Sequence, residues 1–580
     1  MDFFSFLFTI FQILNIFDFM SKDMTKSGGQ AFKMHQKNDP QRASDRTFFI
    51  DASSQSLTTV PREITDLEEL EEVHLENNQI EEIPQDIQHL KNLRVLYLNK
   101  NRLGKLCPEL GRLGSLEGLD LSHNPLLSSS LPVLGGLRRL RELRLYHTHL
   151  GEIPNVLCKL LHHLELLGLT GNHLRSLPKE IVNQIQLREI YLGHNQFEVF
   201  PPELCVLCNL EIIDLDENQL TAIPEEIGNL ARLQKFYVAD NRLAGLPEAL
   251  GLCAGLAVLD LSRNRLRSLP RGLAQLAALT EVGLSGNHLE RLPRLVCRWS
   301  SVHLLYLRDT GLRALRRSFR RLVHLRLLDL SQNHLERGPA ELCALRHLQV
   351  LALDDNRIRQ LPSDFGSLSK LKMLGLTGNQ FPSFPEEILS LESLEKLYIG
   401  QDQGMKLTYI PEHISKLQSL KELYVENNHL EYLPTSLGSM PNLEILDCRH
   451  NWLKKLPNSI CQAQALKELL LEDNLITCLP ENLDSLVNLK VLTLMDNPME
   501  DPPKEVCIEG SQAIWTYLKT KRNKKIMATK IQAWWRGTMV RKGLGRFEEQ
   551  QRLLKKGKNS PKDKKGEKDA KGKPVKKKKR

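Results

Sequence analysis

The sequence lacks the usual marks of an enzyme. It contains no G-x-x-x-x-G-K-[ST] loop, no H-E-x-x-H, no G-x-S-x-G and no paired C-x-x-C. The common devices for cradling a nucleotide, a catalytic zinc or an activated serine are therefore missing, and no cofactor is expected. No Asn-x-Ser/Thr acceptor occurs among the many asparagines, and the eleven cysteines do not read as a disulfide framework. Cys158, Cys205, Cys297, Cys343, Cys461 and Cys507 fall at one recurring position, the usage of a small apolar core residue. Both features point to a reducing compartment. No apolar run has the length of a membrane span. The longest, 3–17 within MDFFSFLFTIFQILNIFDFM, is fifteen residues where roughly 17–25 are needed. It has neither a basic n-region nor a small-residue cleavage site. Residues 1–45 therefore read as an apolar leader and linker, and no membrane partner is expected.

Charge is present but segregated. From 519 to 580 there are 25 Lys and Arg against 5 Asp and Glu, so a body with net charge −11 carries a basic tail of +20. Lysine runs without interleaved aromatics do not describe a nucleic-acid reader, and none is expected as a partner. The last thirty residues, 551–580, are Lys-rich with almost no apolar content. Such a segment cannot bury enough surface to fold, and disorder is expected.

The body repeats itself. The pattern L-x-x-L-x-L-x-x-N-x-L, usually followed by x-x-(L/I)-P-x-x-(I/L), recurs with a period of 23. In L-x-L both leucines point to one side of a strand and the residues flanking them to the other. The Asn closes the turn, and its amide can pair with backbone groups of adjacent turns. Sixteen repeats carry Asn there, and four place Gln55, Thr148, Thr310 and Asp402 at that site. Each repeat buries its leucines only by stacking on its neighbours. This pattern resembles the leucine-rich repeat superfamily over about 46–508, and the L-P-x-x-I variety is most similar to its intracellular Ras-associated group. The resemblance implies an α/β leucine-rich repeat solenoid of about twenty repeats, with a parallel sheet on the concave face. At ~4.8 Å per strand the sheet would run on the order of 95 Å. A closing helix is expected over 509–523, with Ile514, Tyr517 and Leu518 covering the last leucines and Trp515 beside them.

The outward strand position, four residues before the ladder Asn, carries Tyr97, Tyr191, Tyr237, Tyr306, Tyr398 and Tyr424, together with Asp214 and Asp260. Aromatic anchors beside hydrogen-bond acceptors suit protein recognition, although the family uses Tyr or Asp there widely. Asp214, Asp216, Glu217 and Asp240 make the strip locally acidic. Two irregularities stand out: three extra residues in YIGQDQGMKLTYIP, and a cluster of Arg291, Arg294, Arg298, Arg308, Arg313, Arg316, Arg317, Arg320 and Arg321. The bland reading of the cluster is a solvated convex face.

One segment does not repeat. IQAWWRGTMVRKGL at 531–544 sits on a basic amphipathic stretch, 524–550, of the type that calmodulin-like proteins bind. It resembles the IQ motif through Ile531, Gln532, Arg536, Gly537, Arg541 and Leu544, with Trp535 one turn from Ile531. The motif implies binding of calmodulin or a calmodulin-like light chain in its calcium-free form. Packing of the tryptophans on the solenoid end is the competing reading. Repeats plus one such helix resemble the leucine-rich repeat and IQ domain-containing proteins. Two readings follow. One is a non-catalytic cytoplasmic scaffold holding an unidentified protein partner on its concave face, with small-GTPase signalling as its setting. The other is a structural part of a microtubule or ciliary assembly.

Overall fold

The computed structural model describes residues 48–542. The leader and linker, Leu544 and the Lys-rich tail lie outside them. Twenty three-residue strands, β1 (Phe49–Asp51) to β20 (Val491–Thr493), form one parallel sheet. Each strand pairs in register with the next in the chain; β8 (Ile212–Asp214), for example, pairs with the strands before and after it through Ile190↔Ile213↔Phe236. The middle residue of each strand enters the core: Leu119, Ile213, Leu305 and Leu446 are all fully buried.

The return path is built mostly from five-residue 3-10 turns such as Glu225–Asn229, with a Pro immediately before most of them. That Pro contributes no N–H where the first turn would leave one unpaired. Short α-helices replace the 3-10 turn at α1 (Arg62–Thr65) and α2 (Asn155–Leu160).

The asparagines sew adjacent coils together. Asn264 donates to the carbonyls of Val238 at 2.8 Å and Leu261 at 3.0 Å, and its Oδ1 accepts the Leu243 N–H at 3.0 Å. One side chain thus satisfies buried backbone groups of its own coil and of the preceding one. Thr148 and Thr310 do less. Each hydroxyl reaches the carbonyl of its own coil, Leu145 or Leu307, and the Asn of the next coil, and none reaches back. Gln55 is exposed and contributes only its backbone N–H, to Asn78.

The expectation for Asp402 is corrected. Asp402 is exposed, and the buried residue is Gln401, whose Oε1 accepts the Asn379 N–H at 3.0 Å. The inserted residues turn the chain one position early, and the longer amide of Gln bridges the gap. Lys406 then donates to the carbonyls of Gln401 and of Asn427.

After β20 come α3 (Lys504–Ile508) and the 32-residue α4 (Ser511–Lys542). Ile514 and Leu518 are buried against the last coil, with Trp515 and Tyr517 packed beside them. The root of α4 is also tied by charge. Lys521 pairs with Asp501, Arg522 with Asp484 at 2.9 Å, and Lys525 with Glu481 at 2.7 Å. The closing segment and the IQ segment are therefore one continuous helix.

Candidate functional sites: the concave strip and the outer half of the last helix

The alternation of the strands puts three residues per coil on the concave side, six, four and two before the ladder position. The middle column is continuous. In-register pairing runs Tyr191, Asp214, Tyr237, Asp260, Gly283, Tyr306, and further along Tyr398 lies beside Tyr424. The last two rings stack at 4.6 Å with 9° between planes. Tyr97 stands in the same column, separated from Tyr191 by Asp120, Arg144 and Gly168.

The flanking columns contribute more acid than the Tyr and Asp pattern alone indicates. Asp216, Asp354 and Glu426 stand in one, and Glu281 stands in the other. Burial, reinforced by Asp214 and Asp260, pushes the Asp216 carboxyl up to about 8. Burial pushes Glu281, Asp354 and Glu426 to about 7 each and Asp214 to about 6. The strip thus holds carboxyls that lack enough cations around them. Glycines make the room they occupy. A side chain at Gly283 would run into Asp260, at Gly375 into Asp354, and at Gly400 into Glu426. The sequence signal was available: a glycine at an outward position, followed or preceded one coil away by an acid. Between the acidic stretches, Leu327, Val350 and Met373 form a small apolar cluster with Tyr398.

Glu217 and Asp240 do not belong to the strip. Both sit at the turn with positive φ, where Glu217 pairs with His194 at 2.8 Å and Asp240 with Arg263. The arginine cluster also divides. Arg308 lies on the concave side, with its Nε on Gln332 Oε1. Arg294, Arg298, Arg317, Arg320 and Arg321 lie on the 3-10 turns of the return path, exposed and without an ion pair among the described residues. Arg316 donates to the Leu292 carbonyl at 2.7 Å.

On α4 the root is packed and the outer half is not. Ile531, Trp534 and Trp535 are 61%, 62% and 57% exposed, so the tryptophans do not pack on the solenoid end. At ~100° per residue, Met527, Ile531, Trp534 and Trp535 share one face about 100° wide. Gln532, Arg536 and Arg541 are exposed as well. A methyl group at Gly537 would meet nothing nearer than the Arg541 guanidinium at 3.8 Å. The free helix therefore has no steric need for this glycine. Among the described residues no group of His, Cys, Asp and Glu is placed to hold a metal ion, and no helix is long and apolar enough to cross a membrane.

The chain matches known families along its length. The pattern described as "Leucine rich repeat" matches 68–126, 91–150, 185–243 and 231–289, and "Leucine-rich repeat region" matches 303–426. "IQ calmodulin-binding motif" matches 528–544. The human leucine-rich repeat and IQ domain-containing protein 4 is 84% identical over 544 residues, covering 94% of this chain and 97% of the relative. The mouse protein of that name is 78% identical over 566 residues, 98% of this chain and 95% of its own. Among solved structures, the plant peptide hormone receptor RGFR1 in complex with RGF2 superposes with a TM-score of 0.55 at 26% identity, over 76% of each chain. The Arabidopsis receptor kinase HAESA, in complex with the peptide hormone IDA and the co-receptor SERK1, gives 0.53 at 27% identity, over 79% of this chain and 84% of that one.

Proposed function

The chain belongs to the family of leucine-rich repeat and IQ domain-containing proteins, that of the human and mouse protein 4, and from that premise we propose a two-site adaptor. The outer half of α4 takes calmodulin or a related light chain, with Ile531, Gln532, Trp535, Arg536, Gly537 and Arg541 as its contacts and Leu544 continuing the motif beyond the described residues. The concave strip takes a protein partner, anchored by Tyr97, Tyr191, Asp214, Tyr237, Asp260, Tyr306, Tyr398 and Tyr424. The similarity of the repeats to the Ras-associated group supports a partner from a small-GTPase pathway. The plant receptors, solved with peptide ligands, support the use of such a solenoid for protein recognition.

The observation that carries the proposal is the exposed apolar face of α4. Ile531, Trp534 and Trp535 stay in water while every coil behind them buries its leucines. A soluble chain keeps such a face for a partner. Titration of the full chain with calmodulin, in calcium and in chelator, tests it through the fluorescence of Trp534 and Trp535. Binding is expected in both conditions. A flat titration in both would remove the light-chain reading. Capture of partners from tissue by the full chain, with and without Tyr191→Ala, Tyr237→Ala and Asp214→Ala together, tests the strip. Loss of one captured protein without a shift in melting temperature is the expected result.

A further inference from the structure

The concave strip has a charge problem and an unfilled hydrogen-bonding need in the same place. From the strand of Tyr191 to that of Leu470, the three outward columns hold twelve carboxylates against Lys235, Arg308, Lys396 and Arg449. Near the Tyr398–Tyr424 stack the need is specific. Tyr398 is 6% exposed, stands in the outward column, and its hydroxyl has no hydrogen-bond partner. Glu426 Oε2 is likewise buried and unpartnered. Asp354 accepts the Thr377 N–H through Oδ1, and Oδ2 lies over Gly375. The carboxylates of Glu422, Asp354 and Glu426 are close enough to push the Tyr398 hydroxyl upward, after burial itself. What is missing is a donor with positive charge. A lysine ammonium brings three N–H groups and no acceptor. Its methylene stem fits an apolar floor, here Leu327, Val350 and Met373, and its charge fits a stacked aromatic pair.

The chain carries such donors itself. We propose that the concave strip is the docking track of this chain's own Lys-rich segment, 555–580, with Tyr398, Asp354 and Glu426 holding one lysine and the acids around Tyr237 holding others. The proposal rests on the reading of the strip as a protein-binding face and names its occupant in the resting state: the segment covers the strip until a partner displaces it. The lengths agree. From β20 back to β8 is twelve strand spacings, roughly 58 Å, and the part of α4 beyond its root adds about 25 Å. The 34 residues from 542 to 576 reach roughly 110 Å when extended. Calmodulin on the outer half of α4 would take hold of the base of the same segment, which couples the two sites.

The test compares the full chain with one ending at 554, using a fluorescein-labelled 555–580 peptide as probe and anisotropy as readout. The shortened chain is expected to bind the peptide, with affinity falling about tenfold between roughly 50 and 300 mM salt. The full chain is expected to bind about tenfold more weakly, because a tethered segment competes at high effective concentration. Asp354→Asn, Glu426→Gln and Tyr398→Phe together should weaken binding to the shortened chain about tenfold. Tyr398→Phe alone serves if the triple variant melts early. Equal binding to both chains, or indifference to these substitutions, overturns the proposal. So does sedimentation of the full chain as a dimer that falls apart when 555–580 is removed, since the segment would then occupy a second copy. If the peptide fails to bind while Tyr191→Ala, Tyr237→Ala and Asp214→Ala still abolish capture of the partner, the partner face stands and the tail docking falls.

Discussion

Trp299 and Trp535 meet opposite fates in the same chain. Trp299 replaces a leucine on a return path, is 1% exposed, and donates its indole N–H to the Leu273 carbonyl at 2.8 Å. Trp535, with Trp534 beside it, stands in water on a helix that contacts the solenoid only at its root. A coil is held by its two neighbours, so any large apolar side chain at a core position is enclosed from both sides. The outer half of α4 has no neighbouring coil among the described residues, and its apolar face stays in water. The difference teaches that burial here tracks position in the stack rather than residue type, and that the exposed tryptophans stand outside the packed core.

The largest expected effect separates those two roles. Ile531→Ala with Gln532→Ala should cost more than tenfold in calcium-free calmodulin affinity, since one buried apolar side chain is worth about 1.5–3 kcal/mol. The melting temperature should not move. A drop in melting temperature would place the outer half of α4 in the fold and break the comparison.

Within the stack, Asn264→Ala should destabilise by roughly 1–3 kcal/mol by leaving buried backbone groups of two adjacent coils unpaired. Thr310→Ala should cost less, because Thr310 pairs nothing in the preceding coil. Coinciding melts of the two variants would show that the ladder is not what binds coil to coil.

Charge in the strip gives a smaller effect with a definite sign. The folded-state values of Asp216 and Glu281 lie above those of an unfolded chain, so the folded protein holds their protons more tightly. The stability that these two groups contribute is therefore highest below the unfolded values, near pH 4, and is lost as pH rises through about 7 to 8. Asp216→Asn with Glu281→Gln should raise the melting temperature at pH 8 by about 1–4 °C and leave it unchanged near pH 4. A rise of the same size at both pH values would assign the effect to packing rather than charge.

The smallest effect lies at the root of α4. Arg522→Ala removes a partly exposed pair with the buried carboxylate of Asp484 and should cost on the order of 0.2–1 kcal/mol. Faster amide exchange at Ile514 and Leu518 is the measurement, with exchange in the central coils unchanged. Faster exchange throughout would mean that the helix caps the whole stack rather than its last turn.

The leucine and asparagine positions were legible because each repeat states the same local rule, and twenty restatements leave little ambiguity. Ile514 and Leu518 were legible as a closing face from their helical spacing, one turn apart after the last repeat. Asp402 was misplaced because a register count cannot show where three extra residues turn the chain; the buried amide is that of Gln401. Glu217 and Asp240 were assigned to the strip because they adjoin it in sequence, but the positive φ at those positions turns them toward His194 and Arg263 on adjacent coils. On α4 the exposed face follows the helical period, yet whether its tryptophans packed on the solenoid was not in the period.

By itself the sequence determined the repeat, the direction of every core side chain and the one helix that departs from the pattern, because these follow from spacings of two, three and four residues along the chain. Only the tertiary structure decided which carboxylates share the strip and that the Tyr398 hydroxyl and Glu426 Oε2 lack partners. Those facts depend on residues a full coil apart being brought side by side, and on how much water remains between them.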